Sequence, residues 1–236
     1  MLLTDDPQEA ARASYGQAVL TDPVAALTML AGEVPAAQRA LPAPGPRPEP
    51  VDLTGRPLTA AAAYATIARV LPSTGVLVCE SVSNMRDCQD QIRLSRPGSY
   101  HSPAGASLGF GVPAAIGVQL ADPGRPVVAV VGDGALQYAV PALWSAARYQ
   151  VSLTVVVLRN DRYAVLEDYC DFLAVTGVPG LRVPGIDSVL LARGYGVPAV
   201  RADGADALAA ALRDGLARPG PTLIEVPVGG SAETHW

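Results

Sequence analysis

The sequence predicts an α/β protein with a doubly wound, mainly parallel sheet and helices on both faces. Short β-branched runs recur along the chain, and each is bounded by Gly, Pro or Asp. Stretches with helical periodicity separate these runs, which is the pattern of βαβ units. The runs are continuously apolar, as strands covered on both faces are. The chain has 236 residues, half of them apolar, which suffices for one principal core plus an appendage.

The first 39 residues predict two short helices. The segments 5–16 and 21–34 each carry Asp or Thr at an N-cap position and a proline near the first helical turn. So few residues cannot bury a core of their own, so we interpret residues 1–39 as the C-terminal remnant of a middle domain. Residues 40–57 contain a proline-rich run, which excludes helix and central strand and predicts a semi-rigid linker.

Residues 58–236 carry the predicted α/β domain. Helices are predicted in chain order over 58–71, 84–94, 106–121, 140–150, 187–196 and 206–218. Strands are predicted over 75–80, 126–132, 152–160, 198–202 and 221–228. Ligands of open parallel sheets bind beyond the carboxyl ends of the strands, so the residues that end strands are candidates for a site. Three such clusters are expected along one rim, at Glu80, 132–134 and 159–161.

Charge and cysteine content narrow the function classes. Seventeen Lys and Arg against 22 Asp and Glu give a net charge of −5, and no basic run indicates a nucleic-acid partner. No apolar stretch approaches the ~20 residues of a membrane span, and the acidic start does not match a secretory signal. A cytoplasmic protein is therefore expected. Three cysteines without a C-x-x-C pair suit buried, reduced thiols, and two histidines, His101 and His235, cannot build a multi-histidine metal site.

One carboxylate, Asp133, follows an apolar strand and lies between two glycines. Gly132 and Gly134 permit positive φ and a close approach of the backbone to a ligand. A turn in which Asp133 caps the next helix is one interpretation, and a hard-cation ligand beside phosphate-binding amides is the other. Between Gly134 and Asn160 lie 25 residues, the length of one helix and one strand. Asn160 should therefore end the neighbouring strand, and the two oxygen ligands together favour magnesium.

This G-D-G motif, with Asn about 25 residues later, resembles the signature of thiamin diphosphate-dependent enzymes. The resemblance is closest to the benzoylformate decarboxylase branch of that family. The segments that carry it are 5–13, 97–121, 130–149, 178–197 and 220–226. It implies a thiamin-diphosphate-binding fold, and within it the diphosphate domain.

The resemblance implies roles for residues around the diphosphate. Asp133, Asn160 and the backbone carbonyl of Arg162 would hold magnesium, which would bridge the two phosphates. A second set matches positions beside the diphosphate: Ser81, Ser83, Gly132, Gly134, Ala135, Tyr138 and Tyr163. A helix N-cap is the alternative for the serines, and ordinary packing is the alternative for the tyrosines.

The resemblance also implies contacts with the rest of the cofactor and with the substrate. Leu108 resembles the apolar residue that wedges between the two cofactor rings and bends the molecule, which brings its reacting groups together. The backbone around Ala106 would accept a hydrogen bond from the pyrimidine amino group. His101 lies in the loop leading to the pocket and is a weak catalytic candidate. Positions near the substrate side chain match Val165, Leu166 and Tyr169.

The chain departs from the family pattern at four places. Ala135 replaces the usual Ser or Thr, Arg159 replaces the first residue of the usual Asn-Asn pair, and Asp161 replaces a small residue. The carboxylate of Asp161 would either repel the diphosphate or turn to solvent. The glutamate that activates the cofactor belongs to a separate N-terminal domain of the family, and Glu80 does not substitute for it.

These residues predict the diphosphate-binding half of a thiamin diphosphate-dependent 2-oxo acid decarboxylase. It would need a pyrimidine-binding subunit or domain in a homo- or hetero-oligomer, and the lone chain would be inactive. The start of the chain, inside what should be a domain, suits the alternative of a non-catalytic remnant or cofactor-binding module. Components of an acetolactate synthase-like carboligase or of an oxalyl-coenzyme A decarboxylase are further alternatives.

Overall fold

The computed structural model describes residues 1–35, 50–105 and 107–229. They fall into two compact units, Met1–Arg47 and Pro48–Trp236. Most of the predicted proline-rich run lies outside the described residues, as do Ala106 and His235.

The smaller unit contains the two predicted helices and, in addition, a pair of short strands. Asp6 and Asp22 cap the helices, and a proline follows each cap. The strands pair in parallel, with Leu2 opposite Ala18, and were missed because three residues are too few to show a period. The elements are β1 (Leu2–Thr4), α1 (Pro7–Ala11), β2 (Ala18–Leu20) and α2 (Pro23–Glu33).

The larger unit alternates strands and helices, and all five strands and six helices predicted for it are present. Its helices are α3 (Ala60–Val70), α4 (Met85–Gln91), α5 (Gly111–Ala121), α6 (Asp133–Leu136), α7 (Ala142–Arg148), α8 (Ala164–Phe172), α9 (Ser188–Gly194) and α10 (Ala205–Ala217). Its strands are β3 (Val76–Glu80), β4 (Tyr100–His101), β5 (Val127–Gly132), β6 (Leu153–Arg159), β7 (Ala199–Arg201) and β8 (Thr222–Pro227). The sequence did not predict β4, α6 or α8.

The six strands of this unit form one parallel sheet in the order β4-β3-β5-β6-β8-β7. Along β5, Val127, Ala129 and Val131 face a core cluster that includes α5, α7 and α9. Val128 and Val130 face the opposite cluster, which includes α3, α4 and α10. Helices therefore cover both faces, which confirms the predicted fold class.

The chain changes direction between β3 and β5, which are neighbours in the sheet. From β3 it passes through α4 to β4 at one edge, whereas from β5 it passes through α7 to β6 on the other side. The helices α4 and α7 pack on opposite faces, so the two connections diverge above the ends of β3 and β5. This divergence creates the crevice in which open α/β sheets bind ligands.

Within the described residues, no helix has the length and apolar character of a membrane span; α10, with 13 residues, is the longest in the larger unit. Cys79 and Cys88 are buried, as expected of small apolar side chains, and Cys170 is half-buried.

Candidate functional site

A cavity of about 500 Å³ lies at the carboxyl ends of β3, β5 and β6. This volume is in the range of small-molecule sites. The predicted residues that line the cavity are Ser81, Ser83, Leu108, Gly132, Asp133, Gly134, Ala135, Tyr138, Asn160, Arg162, Tyr163, Val165, Leu166 and Tyr169. His101 ends β4 and is not among the lining residues. The structure thus gathers the predicted site, while the individual roles remain predictions.

Asp133 joins the turns that follow two neighbouring strands. It begins α6 and is almost completely buried. Its Oδ1 accepts a hydrogen bond from the N–H of Gly134 at 2.9 Å, and its Oδ2 accepts from the N–H groups of Asn160 at 3.2 Å and Asp161 at 2.8 Å. Burial raises the pKa of Asp133, and these three donors oppose the rise. Asn160 follows β6 directly, as predicted.

Gly134 of the G-D-G motif allows a close contact, and neither glycine of the motif uses the positive φ that its residue type permits. Gly132 has φ −73°, and Gly134 is not among the residues with positive φ. A Cβ atom added to Gly134 would lie 2.5 Å from Cε1 and 2.9 Å from Cδ1 of Tyr163. The aromatic ring of Tyr163 therefore packs directly on the Gly134 backbone. Burial is the main cause that raises the pKa of Tyr163, and the proximity of Tyr138 adds to the rise.

The loop after β6 orients its side chains through local hydrogen bonds. The Oδ1 of Asn160 accepts from the N–H of Arg162 at 3.2 Å. The guanidinium of Arg162 pairs with Glu167 at 3.0 Å, and Glu167 also pairs with Arg182 at 3.0 Å. The backbone of Arg162 thus lies in the tight turn that follows Asn160.

Asp161 takes the second of the two expected courses, since its side chain is 42% exposed and does not line the cavity, and it gains an ion-pair partner that was not predicted. Its backbone, at φ +56°, directs the N–H to Asp133, but its carboxylate pairs with Arg159. Arg159 donates from Nε at 2.8 Å and from Nη2 at 3.3 Å, and it also lies 3.5 Å from the fully buried Glu225. Neither Asp161 nor Arg159 lines the cavity. Arg159 and Asp161, which both depart from the family pattern, therefore form an ion pair with each other.

The serines after β3 make contacts other than a helix cap. Ser81 precedes a short 3-10 helix, Val82–Asn84, but makes no capping hydrogen bond to it. Its Oγ accepts from Nδ2 of Asn84 at 3.2 Å. The Oγ of Ser83 accepts from the N–H of Val165 at 3.0 Å, which ties the start of α8 to this turn. Both serines line the cavity, where a hydroxyl group is able to donate to an anion.

Leu108 lies in a loop and not in the helix predicted over 106–121. Gly109 has φ +93°, which ends any helical continuation, and α5 begins only at Gly111. Leu108 is placed on the cavity wall by this turn. On the other side of the cavity, α8 carries Leu166 and Tyr169, which are three residues apart and so lie on one helix face.

Sequence reasoning missed the partners of Glu80, which also lines the cavity. This carboxylate is buried, and its Oε1 accepts from the N–H groups of Gly109 and Phe110, the latter at 3.2 Å. Its Oε2 accepts from the N–H of Gly111 at 2.6 Å. The available signal was a charge that ends a continuously apolar strand, because such a charge requires donors.

Comparisons with known proteins bear on this site. The family model described as thiamine pyrophosphate enzyme, C-terminal TPP binding domain, matches residues 82–226. The chain is 41% identical over 225 residues to the benzoylformate decarboxylase of Pseudomonas aeruginosa, covering 95% of this chain and 43% of that protein. It is 33% identical over 215 residues to Mycobacterium tuberculosis IlvX, provisionally named an acetolactate synthase large subunit, covering 86% of this chain and 40% of that protein.

Among solved structures, the chain is similar to the thiamine diphosphate-dependent 4-hydroxybenzoylformate decarboxylase of Rhodococcus jostii RHA1. The TM-score is 0.92 at 40% sequence identity, and the match covers 98% of this chain and 44% of that chain. The chain spans less than half the length of each of these relatives. It belongs to the thiamine pyrophosphate enzyme family, and its residues 82–226 match that family's C-terminal thiamine pyrophosphate-binding domain.

Proposed function

We propose that this chain is the diphosphate-binding half of a thiamin diphosphate-dependent 2-oxo acid decarboxylase of the benzoylformate decarboxylase type. The observation that carries the proposal is the cavity at the switch point of the sheet, which gathers Asp133, Asn160 and Leu108 from three separate loops. The 41% identity to a benzoylformate decarboxylase supports the choice of reaction.

The donor atoms around Asp133 fit magnesium. Among residues 1–35, 50–105 and 107–229, the buried carboxylate has only backbone N–H donors as hydrogen-bond partners and belongs to no ion pair. Asp133, the amide oxygen of Asn160 and the carbonyl of Arg162 would supply the hard oxygen ligands that magnesium prefers. Cofactor phosphates would complete the coordination. Ala135 has no hydroxyl group to contact the diphosphate. The hydroxyl groups of Ser81 and Ser83 would therefore contribute a larger share of the diphosphate contacts in this chain.

The remaining lining residues would orient the cofactor and the substrate. Bound thiamin diphosphate supplies the nucleophilic carbon that allows a 2-oxo acid to lose carbon dioxide. Leu108 would pack between the rings and bend the molecule. Val165, Leu166 and Tyr169 would form the apolar wall beside the substrate side chain and exclude water from it.

Activation of the cofactor would require a pyrimidine-binding subunit or domain. The two carboxylates that line the cavity are already engaged, Glu80 with backbone N–H groups and Asp133 at the proposed magnesium site. Three large side chains that line the cavity are also exposed: Tyr138, Leu166 and Tyr169. Exposed apolar surface around a site favours association. The partner would cover this face and bring the activating glutamate.

The assay of this proposal measures carbon dioxide release from benzoylformate with magnesium and thiamin diphosphate. We expect no turnover by the chain alone and turnover once a polypeptide carrying the pyrimidine-binding domain is added. A control replaces the activating glutamate of that domain by glutamine. Acetolactate formed from pyruvate would favour the carboligase alternative, which the similarity to IlvX supports. Absence of cofactor binding with the partner present would overturn the proposal in favour of a non-catalytic module.

Arg159→Ala should weaken magnesium-dependent thiamin diphosphate binding by roughly 3- to 10-fold at low salt. The substitution frees the carboxylate of Asp161 beside Asp133, where it repels the cofactor phosphates. Calorimetric titrations at low and high salt measure the effect, which should shrink as salt screens the charge.

The matched control is the double variant Arg159→Ala/Asp161→Asn. Asn tolerates the positive φ of position 161 and carries no charge, so the affinity should return to that of the wild-type chain. Equal losses in the single and double variants would show that Arg159 acts otherwise than by holding Asp161.

A further inference from the structure

Glu80 is a buried carboxylate whose partners are all backbone groups. It is 1% exposed, and no ion pair among the described residues includes it. A carboxylate without water or a cation is costly unless several donors satisfy it. The N–H groups of Gly109, Phe110 and Gly111 supply those hydrogen bonds.

These three N–H groups form the beginning of α5. The first N–H groups of a helix have no intrahelical acceptor, and Phe110, at the N-cap position, makes no side-chain cap. Glu80 therefore acts as the cap from β3, 29 to 31 residues earlier in the chain. Its negative charge also complements the positive end of the helix dipole.

Two glycines allow the carboxylate to approach so closely. Gly109 adopts φ +93°, which turns its N–H and the next two toward the same acceptor. A Cβ atom added to Gly111 would lie 2.9 Å from Oε2 of Glu80 and 2.6 Å from Cγ1 of Val131. The start of α5 is thus pressed against the ends of β3 and β5.

This contact controls where Leu108 lies. The N–H of Gly109 belongs to the peptide group that follows Leu108, so the hydrogen bond to Glu80 orients the backbone of Leu108. Ser81, which lines the cavity and is predicted to contact the diphosphate, directly follows Glu80. Glu80 therefore connects the turn that would hold the phosphates to the turn that carries the apolar wedge.

We propose that Glu80 is a positioning residue that holds Leu108 at a fixed place relative to the diphosphate-binding turns, so that the bound cofactor bends there. This role rests on the proposed function, since it requires thiamin diphosphate in the cavity. This role of Glu80 predicts that its substitution weakens one part of cofactor binding more than the other. Weakening the Glu80 contact should reduce binding of the ring system while the contacts to the diphosphate group persist.

The test compares two ligands in the presence of magnesium, inorganic diphosphate and thiamin diphosphate, by calorimetric titration of the wild-type chain and Glu80→Gln. Glutamine keeps the shape but places an N–H₂ group against backbone donors. We expect the dissociation constant of thiamin diphosphate to rise about 10-fold or more, and that of diphosphate to change less than about 3-fold. Glu80→Asp, which keeps the charge but shortens the side chain, should show a smaller loss of the same selectivity.

Two controls separate positioning from general destabilisation. Glu225→Gln removes the charge of another fully buried carboxylate on a strand, but one that does not line the cavity. The ratio of its two affinities should equal that of the wild-type chain. If Glu80 acts through Leu108, Glu80→Gln combined with Leu108→Ala should lose no more affinity for thiamin diphosphate than the weaker-binding single variant.

The results of these titrations distinguish a failure of the role of Glu80 from a failure of the proposed function. Parallel losses for both ligands in Glu80→Gln, or additive losses in the double variant, would overturn the role of Glu80 and leave the proposed function standing. Wild-type chain that binds neither ligand, even with the pyrimidine-binding polypeptide present, would overturn the proposed function and the role of Glu80 with it. Ring-selective loss in both Glu80 variants, with non-additivity, supports the proposal even if Glu80→Gln is less stable.

Discussion

Asp133→Ala is expected to abolish magnesium-dependent binding of thiamin diphosphate, with an affinity loss of at least about 100-fold. The carboxylate is the one charged ligand in the proposed magnesium set, and the cavity places it beside Asn160 and Arg162. Without it, the positive charge that would offset the diphosphate has no anchor. Calorimetry with and without magnesium measures the loss.

The same substitution also leaves backbone donors unpaired. The N–H groups of Gly134, Asn160 and Asp161 lose their acceptor, which should lower the free energy of unfolding by about 1–3 kcal/mol. The core does not depend on these groups, so the far-ultraviolet circular dichroism spectrum should be unchanged. Asp133→Asn tests the charge separately, since it keeps the size of the side chain and still removes the anionic ligand.

Asp187→Ala is the matched control for Asp133→Ala. Asp187 also starts a helix, where its Oδ1 accepts from the N–H of Leu190 at 2.8 Å, but it does not line the cavity. Its removal should cost about 1 kcal/mol of stability and leave cofactor affinity unchanged. Unchanged affinity in Asp133→Ala as well would contradict the ligand role.

Gly134→Ala is expected to lower stability by about 1–3 kcal/mol and to weaken cofactor binding by roughly 10-fold or more. The added methyl group would overlap the ring of Tyr163, so the ring must rotate away from its present position. Because Tyr163 lines the cavity, this rotation changes the space beside the diphosphate-binding turn. Thermal unfolding and calorimetric titration measure the two effects.

Gly132→Ala, in the same motif, is the control for stability. A Cβ atom at Gly132 would meet only the Cβ of Ala135, at 4.0 Å, and φ −73° suits alanine. Its free energy of unfolding should therefore stay within about 0.5 kcal/mol of the wild-type value. Equal stability of both alanine variants would mean that Tyr163 does not constrain Gly134.

Local patterns predicted five of the six strands and six of the eight α-helices described in the larger unit. Two of the predicted strands, β5 and β6, are runs rich in valine, and Gly, Pro or Asp lies within two residues of each of them. The elements that were missed are short or lack a clear period. β4 has two residues, and α8 carries a mixture of apolar and acidic side chains. The start of α5 was misplaced because the positive φ of Gly109 is a property of the turn and not of the residue type.

Asp133 and Asn160 could be predicted to meet because they follow parallel strands, whose carboxyl ends lie along one edge, whereas Leu108, the tyrosines and the substrate-pocket residues were implied by the family resemblance. The spacing from Gly134 to Asn160 then implied neighbouring strands, and β5 does pair with β6. The hydrogen-bond and ion-pair partners of the residues in these turns could not be predicted in this way. Arg159 holds Asp161 through a geometry that depends on the turn after β6, and sequence alone left its carboxylate between two alternatives.

The sequence by itself determined the fold class, the family and the set of residues at the rim, because periodicity, glycine positions and strand ends are local features. Only the tertiary structure decided the order of the strands, the direction of Asp161 and the capping of α5 by Glu80. These features depend on hydrogen bonds between groups whose proximity results from packing. The bond from Gly111 to Glu80 spans 31 residues, and no local pattern in the chain specifies it.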